Sequence, residues 1–288
     1  MSTQTQTKEQ AAAGTLTMQP AATVKPAAIK RPPMPTFNSV EEKRKHVKER
    51  LTCAYRIFGK YGFDEGVAGH ITVRDPGNPD HFWVNPFGVP FSLMTVSDLL
   101  LIDHEGNIVG GGKPNRQIYN RAAYCIHAAI HRARPDVDAA AHAHSIYGKA
   151  FSTLGKTLDM TNQDVCCFYE DHALYPNFGG VVVADEESAN IVKYLGDKKA
   201  LILQNHGILT IGRTIEECVA WYIRLEKSCH TQLLADAAAN GTNSTTIKIG
   251  HEEAKHTNDL IGNPHAGWFS GTPYFDIIDA ETGGSYKV

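Results

Sequence analysis

A surplus of positive charge is missing from this 288-residue chain: 28 Lys+Arg stand against 31 Asp+Glu, a formal net charge of −3. Nucleic-acid binders usually carry excess cations to neutralise phosphates, so neither DNA nor RNA is expected as a partner. Long apolar runs are missing as well. The stretches from Cys218 to Ile223 and from Ala200 to Leu203 stop far short of the roughly 20 residues a membrane helix needs, and no membrane association is expected. The six cysteines form no CxxC pair or close framework, in a chain long enough to need no staples, which points to reduced thiols and a cytoplasmic location. With no GxGxxG, Walker A or GxSxG motif, dinucleotide binding and serine-hydrolase chemistry lack their usual scaffolds.

Residues 1–36 hold five of the 14 prolines, seven Ala, seven Thr and no aromatic side chain. Too little surface can be buried there to offset ordering entropy, so a disordered tail is expected. Lys8, Lys25, Lys30 and Arg31 outnumber Glu9, as in a transit peptide, but little Arg and no amphipathic stripe accompany them.

Order is expected from Ser39, where Ser39 and Glu42 make a capping box ahead of the apolar face Val47, Leu51, Tyr55 and Phe58. Runs rich in β-formers follow around Ile71, Phe82 and Leu99, divided by Pro, Gly, Asn and Asp; Gly110-Gly111-Gly112 reads only as turn material. The spacing then predicts helices over 118–132, 146–154, 186–195 and 214–238, with strands over 138–142, 180–183, 200–204 and 208–211. Several strands succeed one another over short turns, so a purely doubly wound sheet is excluded. One three-layer α/β/α domain over residues 37–245 with a mixed sheet is expected. Residues 246–288 read as an irregular tail whose rings, Trp268, Phe269, Tyr274 and Phe275, need a surface to pack on, such as that of an oligomer.

Fourteen histidines are many for this length. His142 and His144 lie two apart in a strand and therefore face one way, so both imidazoles can reach one ion. His206 follows an apolar strand at a tight turn with Gly207. Three imidazoles with positions left open suit a catalytic Zn²⁺ or Fe²⁺ site; satisfied, half-buried histidines are the bland alternative. His127 and His131 share a helical face, but Ala128 stands where a zincin has Glu, so packing or a supporting hydrogen bond is the better reading. Adjacent Cys166 and Cys167 point opposite ways and read as core. Between Asn162 and His172 the chain gathers acids and a phenol, including Tyr169 and Glu170, a source of proton donors or simply a solvated loop.

The motifs Gly69-His70-Ile71-Thr72-Val73-Arg74, Asn85-Pro86-Phe87-Gly88, Ile126-His127-Ala128-Ala129-Ile130-His131, Arg134-Pro135-Asp136, His142-Ala143-His144 and Asn205-His206-Gly207 occur in this order. Together they resemble the class II aldolase/adducin family over roughly residues 40–245. The resemblance implies a mostly antiparallel sheet between helical layers, a homotetramer with sites at subunit boundaries, and Zn²⁺ held by His142, His144 and His206. It implies Lewis-acid chemistry on hydroxyl and carbonyl oxygens of a small-molecule substrate as a C–C bond breaks, with His70, Asn85 and Gly88 as substrate-binding positions.

Two departures qualify the transfer. The family's catalytic glutamate falls at Ala123, and its phosphate pocket meets His70 and Phe87 where an Asn and a small hydroxyl residue are usual. A larger or carboxylate-bearing substrate is therefore expected, not a simple sugar phosphate. Tyr169 or Glu170 is expected to replace the missing acid, Tyr169 being the better candidate because a phenol stays protonated at neutral pH. In the members that this chain resembles, their segment lies at the edge of the site, near the adjacent subunit. The readings carried forward are a Zn²⁺-dependent lyase of aldolase or decarboxylase type, an Fe²⁺-dependent oxygenase on the same histidines, and an adducin-like binding module without catalysis.

Removal of residues 1–36 should leave the thermal midpoint of unfolding within a few degrees of the intact chain; a larger fall in a melting experiment would show that they dock.

Overall fold

Ser39 opens the first helix by accepting a hydrogen bond from the Glu42 N–H at 3.0 Å, and the computed structural model describes residues 31–180 and 185–288 of the chain. The chain divides into residues 1–32 and 33–288, and every element below lies in the second unit. The tail expected over 1–36 and the strand over 180–183 fall largely outside the described residues; residues 31–37 form neither helix nor strand. The capping box is modified: the Glu42 carboxylate accepts from the Asn38 N–H at 2.8 Å, one residue before the cap.

Helix α1 (Val40–Lys60) leads into β1 (His70–Asp75), β2 (Asn78–Val84), β3 (Leu100–Ile102) and β4 (Ile108–Gly111). Then come α2 (Arg121–Ala133), β5 (Ala139–Ala143), α3 (Ile146–Ser152), β6 (His172–Tyr175) and α4 (Asp185–Leu195). Strands β7 (Ala200–Leu203) and β8 (Gly207–Gly212) precede α5 (Ile215–Gly241), α6 (His251–Ile261) and α7 (Pro264–Thr282). Among the described residues the strands form one eight-stranded sheet in the order β4-β3-β2-β1-β5-β8-β7-β6. Every pairing is antiparallel except β6 with β7.

Side chains alternate across the sheet, as a two-residue period requires. Ala139, Ala141 and Ala143 pack with Leu51, Tyr55, Trp221, Tyr222 and Phe275 of α1, α5 and α7. Ala140, Leu209 and Ile211 pack on the other side with Ile126 and Ile130 of α2 and Ile191 and Leu195 of α4. Layers of helix thus cover both faces, and His70, Thr72 and His142 alternate onto the α2 side.

Three expectations are corrected. Gly110 and Gly111 are strand residues, paired with Leu101 and Leu100. Strand β6, absent from the sequence reading, adds the parallel edge. The C-terminal segment is helical where an irregular tail was expected. Pro264 sits in the first turn of α7, behind the Asn263 cap, where its missing N–H costs nothing. Gly267 and Gly271, which look like breakers, are where α7 meets α5 too closely for a side chain: a Cβ would lie 2.4 Å from Trp221 Cζ2 and 2.3 Å from the Glu216 carbonyl oxygen, respectively. Trp268, Phe275 and Tyr286 are buried there and Tyr274 is partly buried, so these rings have their surface within the chain, while Phe269 stays exposed.

Phe275→Ala should cost about 3–5 kcal/mol of unfolding free energy in urea titration, as for other buried large-to-small changes; a cost below about 1 kcal/mol would mean that α7 is not part of the cooperative core.

Candidate metal centre

His142 leaves β5 on its penultimate residue, and His144 follows just past the strand end. His206 belongs to the turn between β7 and β8, in which Asn205 adopts φ +58° and the His206 N–H bonds back to the Leu203 carbonyl at 3.0 Å. Gly207 is required by close approach: a Cβ there would lie 2.9 Å from the Ala143 carbonyl oxygen and 3.4 Å from His142 Cε1. The turn is thereby pressed against the end of β5. The ring centroids are 5.2 Å (His142–His144), 4.7 Å (His142–His206) and 4.9 Å (His144–His206) apart, and one nitrogen from each falls within 4.8 Å of the others.

His142 Nδ1 lies 2.9 Å from the Ile208 carbonyl oxygen. A carbonyl only accepts, so Nδ1 carries the proton and Nε2 keeps its lone pair for an ion. Burial lowers the pKa of all three rings, followed by repulsion from neighbouring imidazoles at His142 and His206 and by Lys149 at His144; His206 is brought down to about 4. The cluster is therefore neutral at pH 7, the protonation state that binds metal. With their ligand nitrogens within 4.8 Å of one another, the three rings could be gathered by one ion. The donor set fits a Zn²⁺ or Fe²⁺ ion with positions left open.

Helix α5 braces the strand end from below. Tyr222 donates to the Ala143 carbonyl at 2.9 Å, while the buried Glu226 carboxylate accepts from Ser145 Oγ at 2.6 Å, the Tyr147 N–H at 2.8 Å and the Gly148 N–H at 2.7 Å. Those amides belong to the first turn of α3, where negative charge is favoured.

Of the expected substrate-binding residues, His70 is brought to the cluster, paired with His142 across β1 and β5 with the rings 5.1 Å apart. Asn85 and Gly88 lie at the same end of the sheet; Asn85 is buried, its Oδ1 accepting from Tyr55 Oη at 2.8 Å. Gly88 takes φ +82° in an open turn. Tyr169 and Glu170 are not brought to the cluster within one chain. They precede β6 beside Lys199, whereas His206 follows the other end of the parallel neighbour β7, three residues further on; that separation is on the order of 10 Å of strand. The Tyr169 hydroxyl instead bonds His251 Nδ1.

The sequence reading passed over Glu65 and Lys149, which pair with each other and whose charges act on His144. Nothing in their spacing marks them, since they meet only when the loop before β1 folds onto α3. A cleft of about 770 Å³ lined by Arg50, Arg74, Asp138 and Arg213 contains none of the three histidines.

Residues 49–233 match the family described as the class II aldolase and adducin N-terminal domain. The chain belongs to this family. It is 41% identical over 240 residues to the decarboxylase NovR of Streptomyces niveus, covering 83% of this chain and 86% of the relative. Identity and length are the same with a 4-hydroxy-3-prenylphenylpyruvate oxygenase/4-hydroxy-3-prenylbenzoate synthase of Streptomyces roseochromogenus, 84% of which is covered. Among solved structures, an L-fuculose 1-phosphate aldolase from Glaciozyma antarctica PI12 superposes with a TM-score of 0.81 at 53% identity, covering 88% of this chain and 96% of that one. Family membership agrees with the eight-stranded, mostly antiparallel sheet between helical layers.

Replacing His142, His144 or His206 by Ala should lower the metal bound per chain severalfold by elemental analysis. Near-stoichiometric metal in a His142→Ala, His144→Ala double variant would remove the site.

Proposed function

We propose that this chain is a metal-dependent lyase of aldolase or decarboxylase type, acting on a small hydroxy- or oxo-compound with an apolar body. The observation that carries the reading is the neutral three-imidazole cluster at the open end of β5 and β8. When bound there, Zn²⁺ would supply Lewis acidity to substrate oxygens; the residues that would hold it are His142, His144 and His206.

The surroundings favour an apolar substrate body over a phosphate. Exposed Val67, Phe87, Ile118, Ile146 and Phe178 stand on the segments that carry or flank the cluster; Phe178 is 6.5 Å from His206, and the Phe87 N–H bonds the Ile118 carbonyl at 2.7 Å. Lys149, whose charge acts on His144, is already paired with Glu65. The prenylphenylpyruvate oxygenase, by its name, fits this substrate class, and the decarboxylase NovR, by its name, fits the reaction type; the fuculose-phosphate aldolase does not fit the substrate class. The oxygenase relative also supports a second reading, Fe²⁺ and O₂ chemistry on the same histidines.

Proton transfer needs a group from elsewhere, since Ala123 has none. Tyr169, whose pKa is raised first by partial desolvation and then by Glu170, keeps its proton at pH 7. Tyr169 and Glu170 can serve the cluster of a neighbouring copy, in the cytoplasmic homotetramer that we propose with this function.

Protein purified without added metal should carry one zinc or iron per chain and cleave a C–C bond of an aromatic hydroxy- or oxo-acid. Activity that persists without O₂ supports the lyase; O₂ uptake equal to product supports the oxygenase; absence of any divalent metal would end both. Tyr169→Phe should lower turnover at least tenfold with metal content unchanged. Mixing Tyr169→Phe with His144→Ala chains should then restore part of the activity if the site is shared between copies.

A further inference from the structure

At the end of the sheet opposite the histidine cluster, the first turns of α1 stand over a cleft. The buried positions of this helix begin at Leu51, whereas Val40, Lys43, Val47 and Arg50, three or four residues apart on one face, line the cavity of about 770 Å³. Its other walls are the turn after β1, Asp138 at the start of β5, Arg213 and Ile215 where β8 leads into α5, and Trp268 of α7. Strands β1 and β5 run from one site to the other: Val73 pairs with Ala139 at the cleft and His70 with His142 at the cluster. That separation is on the order of 10 Å of strand. The volume lies within the range of small-molecule sites, about 300–1,000 Å³.

The charges that border the cleft do not balance. Three carboxylates face it, and each already has a cation. Asp75 accepts from Arg44 Nε at 2.7 Å and Nη2 at 2.9 Å, Glu216 accepts from Arg50 Nε at 2.7 Å, and Asp138 Oδ1 lies 3.6 Å from Arg74 Nε. Lys43 and Arg213 are left over: among the described residues, neither side chain has an ion pair or a hydrogen bond. Burial lowers the pKa of His46, which adds no charge at neutral pH. Two uncompensated cations on a flat surface would be screened by water. Here they come from different elements onto one concave site with apolar walls, which focuses their field on the space between them. The apolar part of the lining includes two rings, Phe37, packed on His46 at 4.8 Å, and the buried Trp268.

We propose that this cleft is a second ligand site, for a phosphate monoester with an apolar body: Lys43 and Arg213 hold the doubly charged phosphate, and the body lies against Phe37 and Trp268. An ammonium and a guanidinium match a phosphate in charge and in hydrogen-bond donors, and the rings supply the contact area that a bare anion would not use. The site is separate from the metal centre and does not rest on the proposed function.

Titration calorimetry of the full chain with naphthyl phosphate tests it at about pH 7.5, where a phosphate monoester is doubly charged. One molecule should bind per chain, at least tenfold more tightly than naphthol, which lacks the charge, or inorganic phosphate, which lacks the body. Affinity should fall as salt is added. Lys43→Gln and Arg213→Gln should each weaken binding about tenfold, the size of one charge-assisted hydrogen bond. Lys43→Arg, which keeps the charge, should retain it, and His144→Ala at the other end of the sheet should leave it unchanged. Absence of binding, equal affinity for naphthol, an unchanged affinity in the Lys43→Gln, Arg213→Gln double variant, or loss of binding in His144→Ala would each overturn the proposal.

Discussion

The site depends on the register of β5. Ala139, Ala141 and Ala143 occupy one face, against α1 and α5, and His142 the other. A slip of one residue would exchange the faces, turning His142 into the apolar layer and away from His206 and His70. Small side chains at the alternate positions let α5 approach closely, and the pairing of His142 with Leu209 on one side and His70 on the other fixes the ring between two neighbours. The histidines are therefore placed by backbone pairing before any ion contributes.

Helix α5 does more than cover the sheet. An isolated buried carboxylate is costly, by several kcal/mol, and Glu226 is offset by three donors from the segment that continues from His144 into α3. The same helix holds the Ala143 carbonyl through Tyr222. Both contacts fall one turn apart on α5, so the angle at which the chain leaves β5, and with it the direction of His144, is set by a rigid element packed beneath α7.

Much of this was legible in the sequence because it follows from short periods. The His142–His144 spacing, the turn at Gly207, the Ser39 cap and the helices α1, α2 and α5 each rest on patterns within a few residues of one another. The unread parts depend on distant partners. In α7, Gly267 and Gly271 look like breakers until Trp221 and Glu216 are brought against them. Strand β4 pairs through glycines whose partners, Leu100 and Leu101, supply the apolar surface. His127 and His131 were recognisable as one helical face, but their meeting with Thr72, and that of His127 with His70, appears only when α2 folds onto β1. Tyr169 shows the converse: its residue type suited proton transfer, while the parallel pairing of β6 with β7 carried it to the far end of the sheet.

Ala123 and the row of buried histidines, His70, His127 and His131, are linked by geometry. Ala123 is buried on α2 one turn before His127, on the same face. A glutamate there would extend toward the histidine row, where its carboxylate would favour a protonated imidazole. An alanine leaves the row free of charge, so that burial and mutual repulsion keep His70 and His127 neutral. In this chain the row is neutral, with an alanine at position 123. The open side of the cluster is bordered by the exposed, apolar Phe178 and Ile146, with buried imidazoles behind it.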